Sequence, residues 1–276
     1  MKRFPLLSTL SLGYLLCLAP LSEAQFGDPF TVNGVSLRGK IVESGDIDAD
    51  GDLDVVIADE IGQVGWRENR GAGDFGASYP VTKLQDVRNV TLADLDGDMD
   101  LDLVFLGTGL NSTSILAWHE FQSGAFGPRM VISNAFLGSD VEAADIDGDG
   151  DRDLVTCSIQ DGEILYFENL GGGSFAASPT LIASEEVFSI GVEDVDGDGD
   201  LDILAGLLLS TPIAFSASEN EGDGSFTRTL ALTFAPSGRY REFDFGDMDG
   251  DGDLDVAAVS GDDQLASVWE NLGDGS

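Results

Sequence analysis

Five copies of one nine-residue acidic phrase recur along the chain, and no other feature restricts its fold so tightly. They read DIDADGDLD from Asp46, DLDGDMDLD from Asp94, DIDGDGDRD from Asp145, DVDGDGDLD from Asp194 and DMDGDGDLD from Asp247, with starts 48, 51, 49 and 53 residues apart. A repeat of this length is one supersecondary unit that cannot cover its own apolar face and must stack on its neighbours. Each phrase runs into a short β-prone stretch: Val55-Val56-Ile57, Leu103-Val104-Phe105, Leu154-Val155, Ile203-Leu204 and Val256-Ala257-Ala258. Further on comes an aromatic-acid-Asn segment: GWREN at 65–69, LYFENL at 165–170, VWENL at 268–272, a weaker SASEN at 216–220, and AWHEF at 117–121 without the Asn. A Gly-rich turn with a Phe follows in GAGDFG (71–76), SGAFG (123–127), GGGSF (171–175) and GDGSF (222–226).

Short apolar runs between Gly/Asp turns indicate strands, and no stretch beyond the N-terminal one sustains a helical period. Four short strands per repeat is the content of a propeller blade, and radial stacking buries both sheet faces and most strand edges. The expectation is an all-β protein, a β-propeller of about five four-stranded blades. Phe26-Gly27 precedes Asp46 much as Phe75-Gly76 precedes Asp94, so residues 26–36 could supply the outer strand of the blade formed by 238–272 and close the ring. The chain also stops at Gly273-Asp274-Gly275-Ser276, just before the next expected Phe, which fits a fragment of a larger propeller.

Charge narrows the partners. With 13 Lys+Arg against 51 Asp+Glu the chain carries −38, and its 42% apolar content is that of a folded protein rather than a disordered acidic tail. Nucleic acid and anionic membrane surfaces need clustered Lys and Arg and are excluded as partners. One histidine, His119, excludes paired-histidine mechanisms and His-rich zinc sites.

Residues 1–24, MKRFPLLSTLSLGYLLCLAPLSEA, have the three parts of a secretory signal: Lys2 and Arg3, an apolar stretch from Leu6 to Leu18, and Ser22-Glu23-Ala24 as a small-residue cleavage site. That stretch is shorter than the ~20 residues a membrane span needs. The expected product is an exported protein whose repeats occupy 25–276, with no membrane span. Leu15 and Leu16 before Cys17 argue against lipid attachment there, and Cys157 alone cannot form an intrachain disulfide.

The phrase D-x-D-x-D-G-D-x-D aims alternate carboxylates at one centre. Oxygens from positions 1, 3 and 5, a carbonyl at 7 and a carboxylate at 9 suit Ca²⁺, which takes 6–8 oxygen ligands, better than Mg²⁺ with its rigid octahedron and retained waters. The expected ligands are Asp46, Asp48, Asp50, Asp54 and the Asp52 carbonyl; Asp145, Asp147, Asp149, Asp153 and the Asp151 carbonyl; Asp194, Asp196, Asp198, Asp202 and the Asp200 carbonyl; and Asp247, Asp249, Asp251, Asp255 and the Asp253 carbonyl. In the second phrase, Asp94, Asp96, Asp98, Asp100 and Asp102, Met99 replaces the position-6 glycine. A side chain at a bend favouring positive φ costs ~1 kcal/mol, so a weaker site is expected there. The five loops hold 25 of the 51 acidic residues and would repel themselves if folded empty. Helix–loop–helix calcium sites are excluded, because their bidentate Glu at position 12 is here Ile57, Phe105, Thr156, Ala205 or Ala258. Tandem nonapeptide β-helix repeats are excluded by the long period.

The order Asp-rich loop, apolar strand, aromatic-Glu-Asn, Gly-rich turn, Phe resembles the FG-GAP/VCBS repeat family, which includes the calcium-bearing blades of integrin α-subunit propellers. The resemblance covers essentially all of residues 26–276, with the second loop and the stretch 211–221 matching least. It implies a β-propeller whose calcium loops join the first two strands of each blade and act structurally. Such propellers commonly have seven or eight blades, so five repeats fit a fragment at least as well as a complete ring.

No catalytic constellation stands out. His119, aligned with Arg67 and Phe167, reads as a half-exposed strand residue. Glu68, Glu120, Glu168, Glu219 and Glu270 recur at one blade position, as scaffold residues do, and Trp66, Trp118, Tyr166 and Trp269 read as blade packing. No G-x-S-x-G elbow occurs, and Cys157 in DLVTCS reads as an inert buried thiol. Arg239, Tyr240 and Arg241 form a basic-aromatic group that could meet an anion. Asn89-Val-Thr and Asn111-Ser-Thr are glycosylation acceptors only in a eukaryotic source. Two functions stay open: a secreted calcium-binding propeller acting as an extracellular binding or adhesion scaffold for glycan or protein, or a secreted carbohydrate-active enzyme of lyase or dehydratase type on a similar propeller. A calcium buffer is disfavoured, because the loops sit inside strand-forming repeats.

Overall fold

The computed structural model describes residues 39–135, 138–195, 197–207, 213–234, 240–246, 248–250, 255–260 and 265–270. Every regular element among them is a β-strand. Blade one comprises β1 (Gly39–Gly45), β2 (Asp54–Asp59), β3 (Gln63–Arg67) and β4 (Tyr79–Lys83). Blade two comprises β5 (Asp86–Ala93), β6 (Asp102–Thr108), β7 (Ser114–Gln122) and β8 (Ala125–Ser133), and blade three β9 (Asp140–Ala144), β10 (Asp153–Ser158), β11 (Glu163–Phe167) and β12 (Thr180–Ala183). Blade four comprises β13 (Val187–Glu193), β14 (Asp202–Leu207), β15 (Ile213–Asn220) and β16 (Phe226–Phe234). Blade five shows β17 (Tyr240–Gly246), β18 (Asp255–Ser260) and β19 (Leu265–Trp269). Each blade is an antiparallel meander in sequence order, four-stranded in blades one to four and three-stranded in blade five among the described residues. The signal segment, the closing strand expected from 26–36 and the chain end lie outside the described residues.

The first strands stand side by side, β1 against β5, β5 against β9, β9 against β13 and β13 against β17, so the blades stack face to face. Stacking explains why the second strands read as unbroken apolar runs. On β6, Leu103 and Phe105 enter the core shared with blade one, while Val104 and Leu106 enter the core shared with blade three. On β10, Leu154 faces blade two while Val155 and Cys157 face blade four. Both faces are buried, as in parallel α/β sheets, and period-two alternation disappears for the same reason.

The recurrent aromatics pack across these joints as expected. Trp66 lies edge-on to Phe121 and Phe126 of blade two, with centroids 5.4 and 6.0 Å away. Trp118 covers the Gly-rich turn of blade three so closely that a Cβ on Gly173, which has φ of +67°, would sit 2.3 Å from the indole. Tyr166 is edge-on to Phe226 of blade four at 6.1 Å. A polar clasp joins three first strands: the buried Asp140 accepts Ile190 N at 3.0 Å and Ser189 Oγ at 2.9 Å from β13, and the Asn89 amide from β5. Burial pushes this carboxyl up, and its hydrogen bonds pull it partly back.

His119 corrects the expectation of half-exposure. It is 4% exposed, stacks on Phe105 at 5.5 Å, and its Nδ1 contacts the Gly127 carbonyl at 2.8 Å. A carbonyl only accepts, so Nδ1 carries the proton. Arg67 at the same blade position donates Nη1 to the Gly76 carbonyl at 3.0 Å, so both residues hold the Gly of the Phe-Gly pair. Burial lowers the His119 pKa. Cys157 is buried, and desolvation pushes its thiol up to about 12, which makes it inert as expected. Arg239 and the side chains of Tyr240 and Arg241 lie outside the described residues.

Candidate metal centres

Each acidic phrase forms the loop between the first and second strands of its blade. The position-1 carboxylate closes the loop on itself: Asp46 accepts Asp50 N and Gly51 N, each at 3.0 Å, and Asp194 accepts Gly197 N at 2.8 Å and Gly199 N at 3.0 Å. Such a bend needs left-handed backbone at two places. Position 6 holds Gly51, Gly150 and Gly199 at φ of +95°, +99° and +101°, and Met99 is forced to +77° with its side chain 82% exposed. Position 4 is left-handed as well, with Gly97, Gly148, Gly197 and Gly250 there but Ala49 in loop one at +57°. The sequence reading found the strain at Met99 and missed position 4.

The carboxylate at position 9 is the innermost. Asp54, Asp102, Asp153, Asp202 and Asp255 are all buried, and each accepts the backbone N of position 2: Ile47 at 3.1 Å, Leu95 at 3.0 Å, Ile146 at 3.1 Å, Val195 at 3.0 Å and Met248 at 2.8 Å. In blades one to four its second oxygen accepts the N–H just beyond the aromatic-acid pair, from Asn69, Phe121, Asn169 or Asn220. Desolvation dominates the acidity. It raises Asp102 to about 7 and Asp153 to about 6, the backbone donors oppose it, and neighbouring carboxylates add to it. Asp48, Asp96 and Asp147 at position 3 are raised too, by desolvation first and then by the facing charges.

Three sets of carboxylate oxygens converge within 4.8 Å: Asp46, Asp48 and Asp50; Asp94, Asp96 and Asp102; Asp145, Asp147 and Asp153. Asp54 stays with its two backbone donors outside the first set. Asp98 and Asp149 turn to the N–H of Asp100 and Asp151, each at 3.0 Å. At position 7, the Asp52, Asp151 and Asp200 side chains point away, toward Gly71, Gly171 and Gly222. In loop four Asp194, Asp198, Asp200 and Asp202 are described and Asp196 is not; in loop five Asp249 and Asp255 are described, while Asp247, Asp251 and Asp253 are not. Asp48 Oδ1 and Asp145 Oδ1 are shielded from solvent without a hydrogen-bond partner. Two shielded carboxylate oxygens without a donor, each beside further carboxylates in a half-exposed cluster, fit a hard divalent cation with oxygen ligands.

One residue that the sequence reading quoted without a role is the Asn closing the aromatic-acid-Asn segment. Asn169 Nδ2 donates to the Arg152 carbonyl of its own loop at 3.0 Å and to the Leu95 carbonyl, position 2 of the preceding loop, at 2.8 Å. Asn220 repeats this with Leu201 at 3.1 Å and Ile146 at 2.6 Å. Each is thus a rivet between successive acidic loops. Blade two has Phe121 instead, and there the Ile47 carbonyl meets Leu101 N at 3.4 Å.

Stacked antiparallel blades with an acidic loop between first and second strands define a propeller-like repeat protein. The chain belongs to the FG-GAP-like repeat family, which matches residues 46–105, 145–205 and 214–258, more than half its length. No curated protein sequence matches it. Among solved structures it is similar to the Vibrio cholerae biofilm matrix protein Bap1 (TM-score 0.46, 16% identity), with 72% of this chain and 29% of that chain covered. It is also similar to BBS1N from a complex with ARL6DN (TM-score 0.47, 12% identity), with 87% and 83% covered. The chain thus spans less than a third of the biofilm protein's length.

Proposed function

We propose that this is an exported, calcium-stabilised propeller scaffold that binds an extracellular glycan or protein. Calcium would sit in the acidic loops, held by the carboxylates at positions 1, 3, 5 and 9 with the carbonyl at 7, and more weakly at Asp94–Asp102, where Met99 strains the bend. Bound there, it would neutralise self-repelling loops and fix the pieces that the Asn rivets join. The observation that carries this reading is the convergence of oxygens within 4.8 Å at the same place in three successive blades. Export rests on the N-terminal segment. No helix among the described residues is long and apolar enough to cross a membrane.

The sequence left room for a lyase or dehydratase. A half-open depression of about 400 Å³ on blade two is lined by residues that include Leu110, Asn111, Thr113, Arg129 and Asn134. Isothermal titration of chelator-stripped mature chain with CaCl₂ tests the reading. It predicts up to five sites, with fewer after Asp147→Ala. Heat no different from buffer would refute it.

A further inference from the structure

We infer, on the reading of this chain as a binding scaffold, that the depression on blade two takes a sugar carrying one carboxylate, with Arg129 as the group that receives the charge. Ile115 of β7, Arg129 and Val131 of β8 and the turn between β6 and β7 line it. Arg129 stands opposite His119 and Val131 opposite Ala117, on the face whose inner part packs against blade one. Here, farther out, Val131 is 49% and Leu110 70% exposed.

The turn is held before any ligand arrives. Gly109 N donates to the Thr113 carbonyl at 2.7 Å and Ser112 N to the Gly109 carbonyl at 2.9 Å, while the Ser112 hydroxyl donates to Gln85 Oε1 at 2.9 Å. A turn tied in this way loses little freedom on binding, and that part of the cost of association is small.

The balance of donors and acceptors points to an anion. Thr113 Oγ1 donates to Asn111 Oδ1 at 2.7 Å, so the Asn111 amide offers the depression its N–H donors. Arg129 enters no ion pair among the described residues, in a chain with 51 acidic side chains. No Asp or Glu is among the described residues that line the depression. A guanidinium presents a planar fork that fits a carboxylate through two hydrogen bonds. Leu110, Ile115 and Val131 supply apolar surface for the C–H face of a sugar ring, and the Asn111 and Asn134 amides suit its hydroxyls. A volume of about 400 Å³ is that of a small-ligand site.

Charge limits the ligand further. A net charge of −38 repels a dense polyanion, whereas screening over ~8 Å leaves a single carboxylate governed by the arginine beside it. An isolated uronic acid unit therefore fits better than a heavily sulfated chain or an acidic peptide.

The test is ligand-observed NMR on calcium-loaded residues 25–276 with the methyl glycosides of glucuronic, galacturonic and mannuronic acid at millimolar concentration. The methyl ester of each and a short Glu-containing peptide are run beside them. At least one uronate should bind. Its ester should bind roughly 10-fold more weakly or worse, the effect of losing a charged hydrogen-bonded pair. Arg129→Gln should cost as much, and Val131→Glu, which places a like charge in the depression, should abolish the signal. Circular dichroism and melting check that both variants are folded. Arg70→Gln, which removes an exposed cation paired with Glu68 on blade one, should change nothing; an equal loss there would mean bulk charge and overturn the proposal. It is also overturned if no uronate binds, if an ester binds as well as its acid, or if the peptide binds as well as the sugars. Binding that survives Arg129→Gln overturns it too, by placing the sugar elsewhere, the acidic loops included. Calcium titration of the same sample reports on the scaffold separately, so calcium uptake without a sugar signal sinks the depression alone.

Discussion

Replacing Asn169 by alanine tests how the blades are joined. The side chain is 0% exposed. It donates to the Arg152 and Leu95 carbonyls at 3.0 and 2.8 Å and accepts Gly171 N at 3.1 Å, while the bond from its own backbone N to Asp153 survives the substitution. A buried hydrogen bond contributes about 1 kcal/mol, and a buried group left without its partner costs about 1–3 kcal/mol. Water can reach part of the vacated space, so a loss of about 3 kcal/mol is expected. Asn69→Ala removes the analogous bonds to Leu53 and Gly71 at 3.1 and 3.2 Å, but at a half-buried site where, among the described residues, it holds no carbonyl of another loop. There the loss should be about 1 kcal/mol. Urea unfolding at low protein concentration and saturating calcium, followed by fluorescence of Trp66 and Trp118, compares the two. Equal losses would refute the claim that Asn169 joins one acidic loop to the next.

Three further outcomes are expected. Met99→Gly relieves a φ of +77°, and the relief outweighs the added chain entropy, so stability should rise by about 0.5–1 kcal/mol and loop two should hold calcium more tightly in titration. Glu142, on β9, is pushed up to about 7 by burial first and then by Asp140, Glu43 and Glu193. Its native carboxyl holds a proton more tightly than the unfolded one. Its contribution is therefore complete below the ordinary value of 4.5 and is lost as pH rises to about 7; relative to wild type, Glu142→Gln should gain up to about 3 kcal/mol between pH 4.5 and 8 in melting experiments, and a constant difference would refute this. Cys157 should resist a thiol reagent in the native protein and react fully in denaturant; rapid native reaction would contradict its burial.

The blades were legible because each repeat spells its own local structure: an apolar strand after the acidic loop, an aromatic strand, then a Gly turn. The acidic loops were legible down to the strain at Met99, since backbone sterics act on one residue at a time. What escaped depends on a neighbour. The Asn169 rivet exists only when the Leu95 carbonyl of another blade arrives beside it, and nothing within one repeat announces that. His119 was misjudged for the same reason: a strand residue read within one repeat leaves a side to solvent, but a stacked blade buries both. Ala49 at a left-handed position escaped because the reading assigned the bend to position 6 alone. That Asp98 and Asp149 turn to backbone N–H groups, and that Asp50 rather than Asp54 converges in loop one, required coordinates, because the sequence does not specify how each side chain rotates within its loop.

Differential scanning calorimetry of residues 25–276, run with EDTA and again after excess CaCl₂, bears most directly on divalent cations holding these loops. The account predicts a marked fall in melting temperature on chelation and full recovery on adding calcium, because the acidic loops would lose and then regain a counter-ion. A melting curve unchanged by either treatment would contradict it.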